Sequence, residues 1–147
     1  MKKVFVSGGS GYIALHCIAA LIKKGFLVRT SIRSLERKKE IIDSLLNVID
    51  CNGKIEFCEL DLLKDDGWDD AIKGCEYVLH TASPVSLLLS NNPDDLIKPA
   101  VEGLERCLKS AVKNKVKRFV MTSSFSAVGA GSKIKELDDD NWTDLNS

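Results

Sequence analysis

The sequence predicts an α/β fold built on one doubly wound parallel sheet, and three observations lead there. Short apolar runs alternate with longer stretches whose apolar residues recur at helical spacing. Read along the chain, the order is strand, helix, strand, helix, strand, helix, strand, helix, strand, and such alternation joins parallel strands through right-handed crossovers. A glycine-rich turn, "SGGSG", lies between the first strand and the first helix, where sheets of this kind bind nucleotides. At 147 residues the chain has the length of one domain, 1–147, with a sizeable core.

The elements follow in order. "KVFVSG" is a short apolar strand ending in glycine. "YIALHCIAALIKKG" places Ile13, Cys17, Ala20 and Leu21 at helical spacing, with Gly25 where a C-terminal cap belongs. "FLVRTSI" alternates as a strand does. "SLERKKEIIDSLLNVID" reads as an amphipathic helix from a Ser34 cap. "KIEFCELD" is the third strand, and "GWDDAIKG" a short helix closed by Gly74. "CEYVLHTA" is a fourth strand, apolar enough for burial on both faces. "NPDDLIKPAVEGLERCLKSAVKNK" is a long helix, with Asn92 or Asp94 near its start. Pro99 inside it implies an entry kink or a later true start. "VKRFVMTSS" is the fifth strand. The tail "GAGSKIKELDDDNWTDLNS" is polar and aperiodic. No repeat, low-complexity segment or linker interrupts the series.

Composition removes several function classes. Hydrophobic residues are 44% and charged residues 29%, the balance of a soluble globular domain. The formal net charge is zero, and no basic cluster stands apart, so no nucleic-acid partner is expected. The densest basic run, "RSLERKKE", is interleaved with carboxylates as a solvated helix face is. No apolar stretch approaches the roughly 20 residues of a membrane span. Strand and glycine signals follow the N-terminal lysines too soon for a signal peptide. Cys17, Cys51, Cys58, Cys75 and Cys107 are odd in number and form no CxxC. They read as reduced core thiols of a cytoplasmic protein. Two histidines far apart in sequence give a metal site little support, and no metal is expected.

The glycine turn admits two overlapping patterns. Gly9 to Ala14 fits GxGxxG with alanine last, and Gly8 to Ala14 fits GxxGxxG with the same ending. Both ask for the same physics. Glycine permits positive φ and lets backbone amides approach a pyrophosphate, and the helix N-terminus offers unpaired N–H groups and a favourable dipole. A small Ala14 lets the helix pack close to the strands. A plain tight turn is the competing reading, and the frame of strand and helix favours the phosphate site.

The second strand selects the dinucleotide. NAD sites place a carboxylate at its end, for the ribose 2′-OH. Here it ends "TSIRS", with Arg33 in that place and Arg37, Lys38 and Lys39 following. A guanidinium suits a 2′-phosphate through charge-assisted bonds, so NADP is expected over NAD. An ordinary surface charge is the competing reading, stronger for Lys38 than for Arg33.

"VFVSGGSGYIA", "VRTSIRS", "ELDLLKDDGWDDAIKGCEYVLHTASP", "IKPAVEGLERCLKSA" and "VKRFVMTSS" together resemble the extended short-chain dehydrogenase/reductase family, which is NAD-dependent epimerase/dehydratase-like. "HTASP" followed by "IKPAVEG" is most similar to the dihydroflavonol reductase-like branch, with its plant dihydroflavonol and cinnamoyl-CoA reductases and microbial aldehyde and ketone reductases. The likeness runs from Lys3 to about Thr143 and covers the N-terminal half of a typical member. It implies a Rossmann-like sheet in the order 3-2-1-4-5 and NADPH-dependent reduction of an aldehyde or ketone. Gly8, Gly11, Tyr12 and Ile13 would form the pyrophosphate turn. Arg33 would meet the 2′-phosphate, with Lys39 a second contact. Asp61 and Leu62 would border the adenine, although Asp61 reads equally well as a helix cap. Thr81, Ala82 and Ser83 would lie along the ribose. Pro84 ends that strand, and His80 reads as packed rather than catalytic. Ser124 would donate a hydrogen bond to the substrate carbonyl, with Ser126 a weaker candidate for substrate contact.

The sequence departs from the pattern in two places. Leu104 and Arg106 stand where many relatives carry threonine and asparagine. The family's proton donor is a tyrosine with a lysine four places on, whereas Tyr12 and Tyr77 are followed at that distance by His16 and Thr81. The chain is therefore expected to be a truncated form that binds NADP weakly or not at all and does not turn over alone. The substrate pocket and further strands would belong to a C-terminal half. Without them, "RFVMTS" would be an apolar edge open to self-association. A nucleotide-binding module without chemistry and an NAD-dependent sugar-nucleotide epimerase/dehydratase fragment are the alternatives. Arg33 and "HTASP" speak against the second.

Overall fold

The computed structural model describes residues 1–83, 92–132 and 136–146; Pro84 lies outside them. Five strands, β1 (Lys3–Ser7), β2 (Leu27–Ile32), β3 (Ile55–Glu59), β4 (Tyr77–His80) and β5 (Arg118–Met121), form one parallel sheet. The order is β3-β2-β1-β4-β5, as expected. Val4 stands beside Val28 on one side and Tyr77 on the other, and Ser7 ends β1 level with His80.

Alternation along β1 builds two cores. Val4 and Val6 pack with Ile18 and Ile22 of α1 (Tyr12–Lys23) and with Ile41 and Leu45 of α2 (Lys38–Leu46). Phe5 faces the other way, onto Trp68 and Ile72 of α3 (Trp68–Ile72) and Cys107 and Ala111 of α4 (Asp94–Lys113). Burial on both faces is why the central strand is continuously apolar.

Local chemistry sets the ends. α1 closes on Gly25 at φ +83°, where the Gly25 N–H donates to Ile22 O (2.9 Å) and the Phe26 N–H to Leu21 O (3.1 Å), a Schellman pair. Arg29 of β2 holds the short α3 in place. Its Nη1 donates to Asp70 O, Ala71 O and Lys73 O, and its Nε to Glu56 at 2.8 Å, which satisfies carbonyls the helix end leaves open.

Three elements differ from expectation. The segment from Ser34 begins as a 3₁₀ turn, Leu35–Arg37, with Ser34 Oγ accepting from the Glu36 N–H (3.3 Å), and α2 ends at Leu46 rather than near residue 50. Turn formers take over there: Asp50 Oδ1 accepts from the Asn52 N–H (3.1 Å) and Gly53 adopts φ +66°. α4 runs unbroken through Pro99. Pro99 is the sixth residue of the helix, so its missing N–H costs one bond near the exposed N-terminal end and leaves the rest of the ladder intact. A four-residue helix, α5 (Phe125–Val128), follows β5 and had no counterpart in the sequence reading.

All five cysteines are free thiols. Burial pushes Cys58 up to about 11 and Cys107 up to about 12, which keeps both protonated and unreactive. Among the described residues no helix is long and apolar enough to cross a membrane, and no cluster of three or more His, Cys, Asp or Glu is placed to hold a metal ion.

Candidate cofactor cleft

The strand ends meet around Ser7, which is fully buried. Its hydroxyl oxygen accepts from the Thr81 and Ala82 N–H groups, each at 3.0 Å, and its carbonyl accepts from Thr81 Oγ1 at 2.6 Å. The end of β4 is thereby tied to the end of β1. On the other flank the Gly8 N–H donates to Ser31 Oγ (3.1 Å) and the Gly9 N–H to Ser31 O (2.7 Å), which ties the glycine turn to β2.

The three glycines serve different ends. Gly8 has φ +73°, and a Cβ there would stand 2.9 Å from Ala82 Cβ. A Cβ on Gly9 would run into the Thr30 side chain, with Cγ2 at 2.8 Å. A Cβ on Gly11 would lie 3.2 Å from Gly8 O. Gly8 and Gly11 line the cleft above the turn, whereas Gly9 packs away from it onto β2.

That cleft has a volume of about 310 Å³ and is lined by Gly8, Ser10, Gly11, Ser31, Ile32, Arg33, Leu60, Asp61, Leu62, Leu63, Trp68, Thr81, Ala82 and Ser83. It thus brings together Gly8, Gly11, Arg33, Asp61, Leu62, Thr81, Ala82 and Ser83 from four separate segments. Tyr12 and Ile13 do not line it. They are the first two residues of α1 and their side chains are exposed. Lys39 is exposed on α2 and also lies outside the lining.

Charge at the cleft is arranged for an anion. The first helical N–H to bond back is that of Leu15, to Gly11 O at 3.0 Å, so the amides ahead of it have no intrahelical acceptor. Gly11 offers no side-chain cap and the first turn of α1 carries no acidic residue, so the positive end of the helix dipole is uncompensated. Arg33 is exposed at the rim and makes no ion pair among the described residues, whereas Arg37 is engaged by Glu40 and Lys38 lies 5.6 Å from the Phe57 ring centre. These residues fit a phosphorylated dinucleotide: bare backbone at the turn, unpaired amides behind it, and an uncommitted guanidinium at the end of β2.

Asp61 lines the cleft, and its Oδ1 accepts from the Leu63 N–H (3.0 Å), so it caps a turn of the loop rather than a helix. Ser124 lies apart. Its Oγ accepts from the Ser126 N–H (3.2 Å) as the N-cap of α5, beside a separate shallow depression with Phe125, Val128 and Leu137. His80 is buried as expected, stacked on Phe119 with centroids 6.0 Å apart.

Sequence reasoning missed Ser7, Ser31, Trp68 and the hold of α4 on the loop after β3. Ser7 left one signal, a polar residue in a strand otherwise fit for complete burial, which must find partners. Trp68 left none; it is nearly fully buried at the base of the cleft, its Nε1 donating to Lys64 O at 2.9 Å.

A family profile described as the 3-beta hydroxysteroid dehydrogenase/isomerase family matches residues 5–145. The chain belongs to that family. Within the family it is 37% identical over 145 residues to vestitone reductase from Medicago sativa, covering 97% of this chain and 44% of that protein. It is 34% identical over 146 residues to dihydroflavonol 4-reductase from Arabidopsis thaliana, covering 98% of this chain and 38% of that protein. Among solved structures, alfalfa vestitone reductase superposes with a TM-score of 0.81 at 34% identity, over 99% of this chain and 44% of that one. A yeast methylglyoxal/isovaleraldehyde reductase complexed with NADPH gives 0.81 at 32%, over 95% and 43%. These family members are reductases, and the dihydroflavonol reductase-like branch is the one the motifs resemble. The chain spans less than half the length of each of them.

Proposed function

We propose that this chain is the NADP-binding half of a carbonyl reductase of the dihydroflavonol reductase type. One observation carries the reading: the cleft places the bare backbone of Gly8 and Gly11 and the uncommitted Arg33 around one space, beside a helix N-terminus with no acidic neighbour. Gly8, Gly11 and the amides of Tyr12 and Ile13 would hold the pyrophosphate, Arg33 the 2′-phosphate with Lys39 a second contact, Asp61 and Leu62 the adenine side, and Thr81, Ala82 and Ser83 the ribose. NADPH, when bound, supplies the hydride. Ser124 would orient the substrate carbonyl. The absence of a carboxylate at the end of β2 disfavours the sugar-nucleotide alternative.

No tyrosine in these 147 residues has a lysine four places on, so binding without turnover is the expected behaviour of the chain as it stands. Titration with NADPH and NADH, followed by tryptophan fluorescence, tests the reading. NADPH is expected to bind more tightly, and Arg33→Ala to weaken it by about tenfold while leaving NADH unchanged, the effect of losing one charge-assisted phosphate contact. Equal affinity for the two would overturn the 2′-phosphate assignment, and reduction of simple aldehydes at an ordinary enzymatic rate would overturn the inactivity.

A further inference from the structure

We propose that Arg106 of α4 is a positioning residue for the cofactor cleft, holding the loop after β3 so that Asp61 and Leu62 form a fixed rim. This rests on the proposed NADP site and extends it to a residue outside the cleft.

The grip is direct. The Arg106 side chain is only 18% exposed. Its Nη1 donates to Leu62 O at 3.0 Å, its Nε to the Asp65 carboxylate, and its Nη2 to Glu102 Oε2 at 3.2 Å. One planar guanidinium thus serves three acceptors, two of them on the loop, in a fork that a lysine ammonium does not reproduce. α4 also meets Leu62 from a second point. At Gly103, three residues earlier on the helix, a Cβ would lie 2.9 Å from Leu62 Cδ2 and 3.1 Å from its Cβ, so glycine is what lets the Leu62 side chain seat against the helix.

The loop is anchored at its start, where the Leu60 N–H donates to Ile32 O (3.0 Å) and Leu60 and Leu62 pack with Trp68 on the core. Past Leu60 its own hydrogen bonds are local: the Leu63 N–H to Asp61 Oδ1, the Lys64 N–H to Asp61 O (3.1 Å) and Trp68 Nε1 to Lys64 O. Among the described residues, Arg106 supplies the hydrogen bonds that reach Leu62 and Asp65 from a distant element. Segments with few hydrogen bonds to the rest of the fold open at low free energy. A rim that must be ordered on binding weakens affinity by the population of its competent form. A second ion pair, Lys113 with Asp69, joins α4 to α3 and touches no residue that lines the cleft.

The test compares Arg106→Ala, Arg106→Lys and Lys113→Ala by amide hydrogen exchange and by NADPH titration. Arg106→Ala is expected to speed exchange selectively across residues 61–66 and to weaken NADPH by about tenfold, the scale of one lost charge-assisted hydrogen bond. Arg106→Lys keeps a charge for Asp65 but not the fork, and is expected to fall between wild type and alanine on both measures. It also keeps the test alive should the alanine variant fold poorly. Lys113→Ala is expected to change neither. NADPH affinity unaltered in Arg106→Ala, exchange raised evenly over the whole sheet, or an equal loss in Lys113→Ala would each overturn the proposal. A wild-type chain that bound no NADPH would overturn the proposed function, and the exchange measurement on the free protein would then decide alone whether Arg106 braces the rim.

Discussion

Ser7 Oγ stands 3.0 Å from His80 Nδ1, and its other contacts fix which atom carries the proton. The hydroxyl oxygen already accepts from two backbone N–H groups, those of Thr81 and Ala82. Both lone pairs are taken, so the hydroxyl hydrogen points to His80 Nδ1. His80 is therefore a neutral imidazole with its hydrogen on Nε2. Burial agrees, holding its pKa below the ordinary value.

Ser7→Ala removes all three bonds at once. Two part-buried amides and a buried imidazole nitrogen lose their partner where β1 and β4 end at the cleft. The expected cost is about 3 kcal/mol, since each unsatisfied buried group costs about 1–3 and some regain water. Urea denaturation would read it as a lower midpoint with an unchanged slope. A loss below about 1 kcal/mol would mean that the hydroxyl is not the tie between β1 and β4.

The same histidine gives a pH window. Its folded pKa lies below 6.5, the ordinary value that the unfolded chain regains. Below pH 6.5 the unfolded state binds a proton that the folded state refuses, so stability is full above that pH and falls as the solution is acidified toward the folded pKa. Glu56, held low by Lys3 and then Arg29, contributes a separate loss only below its own ordinary 4.5. Denaturation at a series of pH values should show a first decline below 6.5 that disappears in His80→Phe. A decline that persisted in that variant would place its origin elsewhere.

Gly9 offers a packing prediction distinct from the ligand roles of its neighbours. Its φ is not positive, so alanine suits the backbone, but the new Cβ would press on the Thr30 hydroxyl, which is fully buried and donates to Val6 O at 2.8 Å. Gly9→Ala is expected to cost about 2 kcal/mol by overpacking. Thr30→Ala clears both the hydroxyl and the methyl, so the double variant should be more stable than the sum of the single losses implies. Strict additivity in that cycle would show that the two positions do not press on each other.

The cleft was legible in the sequence where backbone topology alone decides placement. Parallel crossovers bring the ends of β1, β2, β3 and β4 to one edge, so Gly8, Arg33, Asp61 and Thr81 meet there whatever their side chains do. Ser7, Trp68 and Arg106 were not legible, because each acts through a side chain reaching an element far along the chain, and no periodicity records such a contact. α5 is only four residues long, below the length at which a helical period shows. Ser124 came from the family resemblance alone, and the fold places it outside the cleft as the cap of that helix.

The edge of the sheet carries the last prediction. β5 pairs with β4 on one side and with no strand on the other among the described residues. Val120 and Met121 are each 47% exposed, and no proline interrupts the strand. Charged or proline-bearing edges are how sheets refuse a second edge, and the centre of this one has neither. Two copies have the same edge to offer, so a two-fold antiparallel pairing of β5 with β5 is the closed arrangement available to them. Sedimentation velocity should show the average mass rising with protein concentration. Val120→Lys places a charge in the middle of the strand and should hold the chain monomeric. Val48→Lys, at an exposed apolar residue between α2 and β3, should leave association unchanged. If Val48→Lys abolished association as well, general surface hydrophobicity rather than strand pairing would be responsible. A wild-type chain that stayed monomeric at all concentrations would mean that the short length of β5 alone protects the edge.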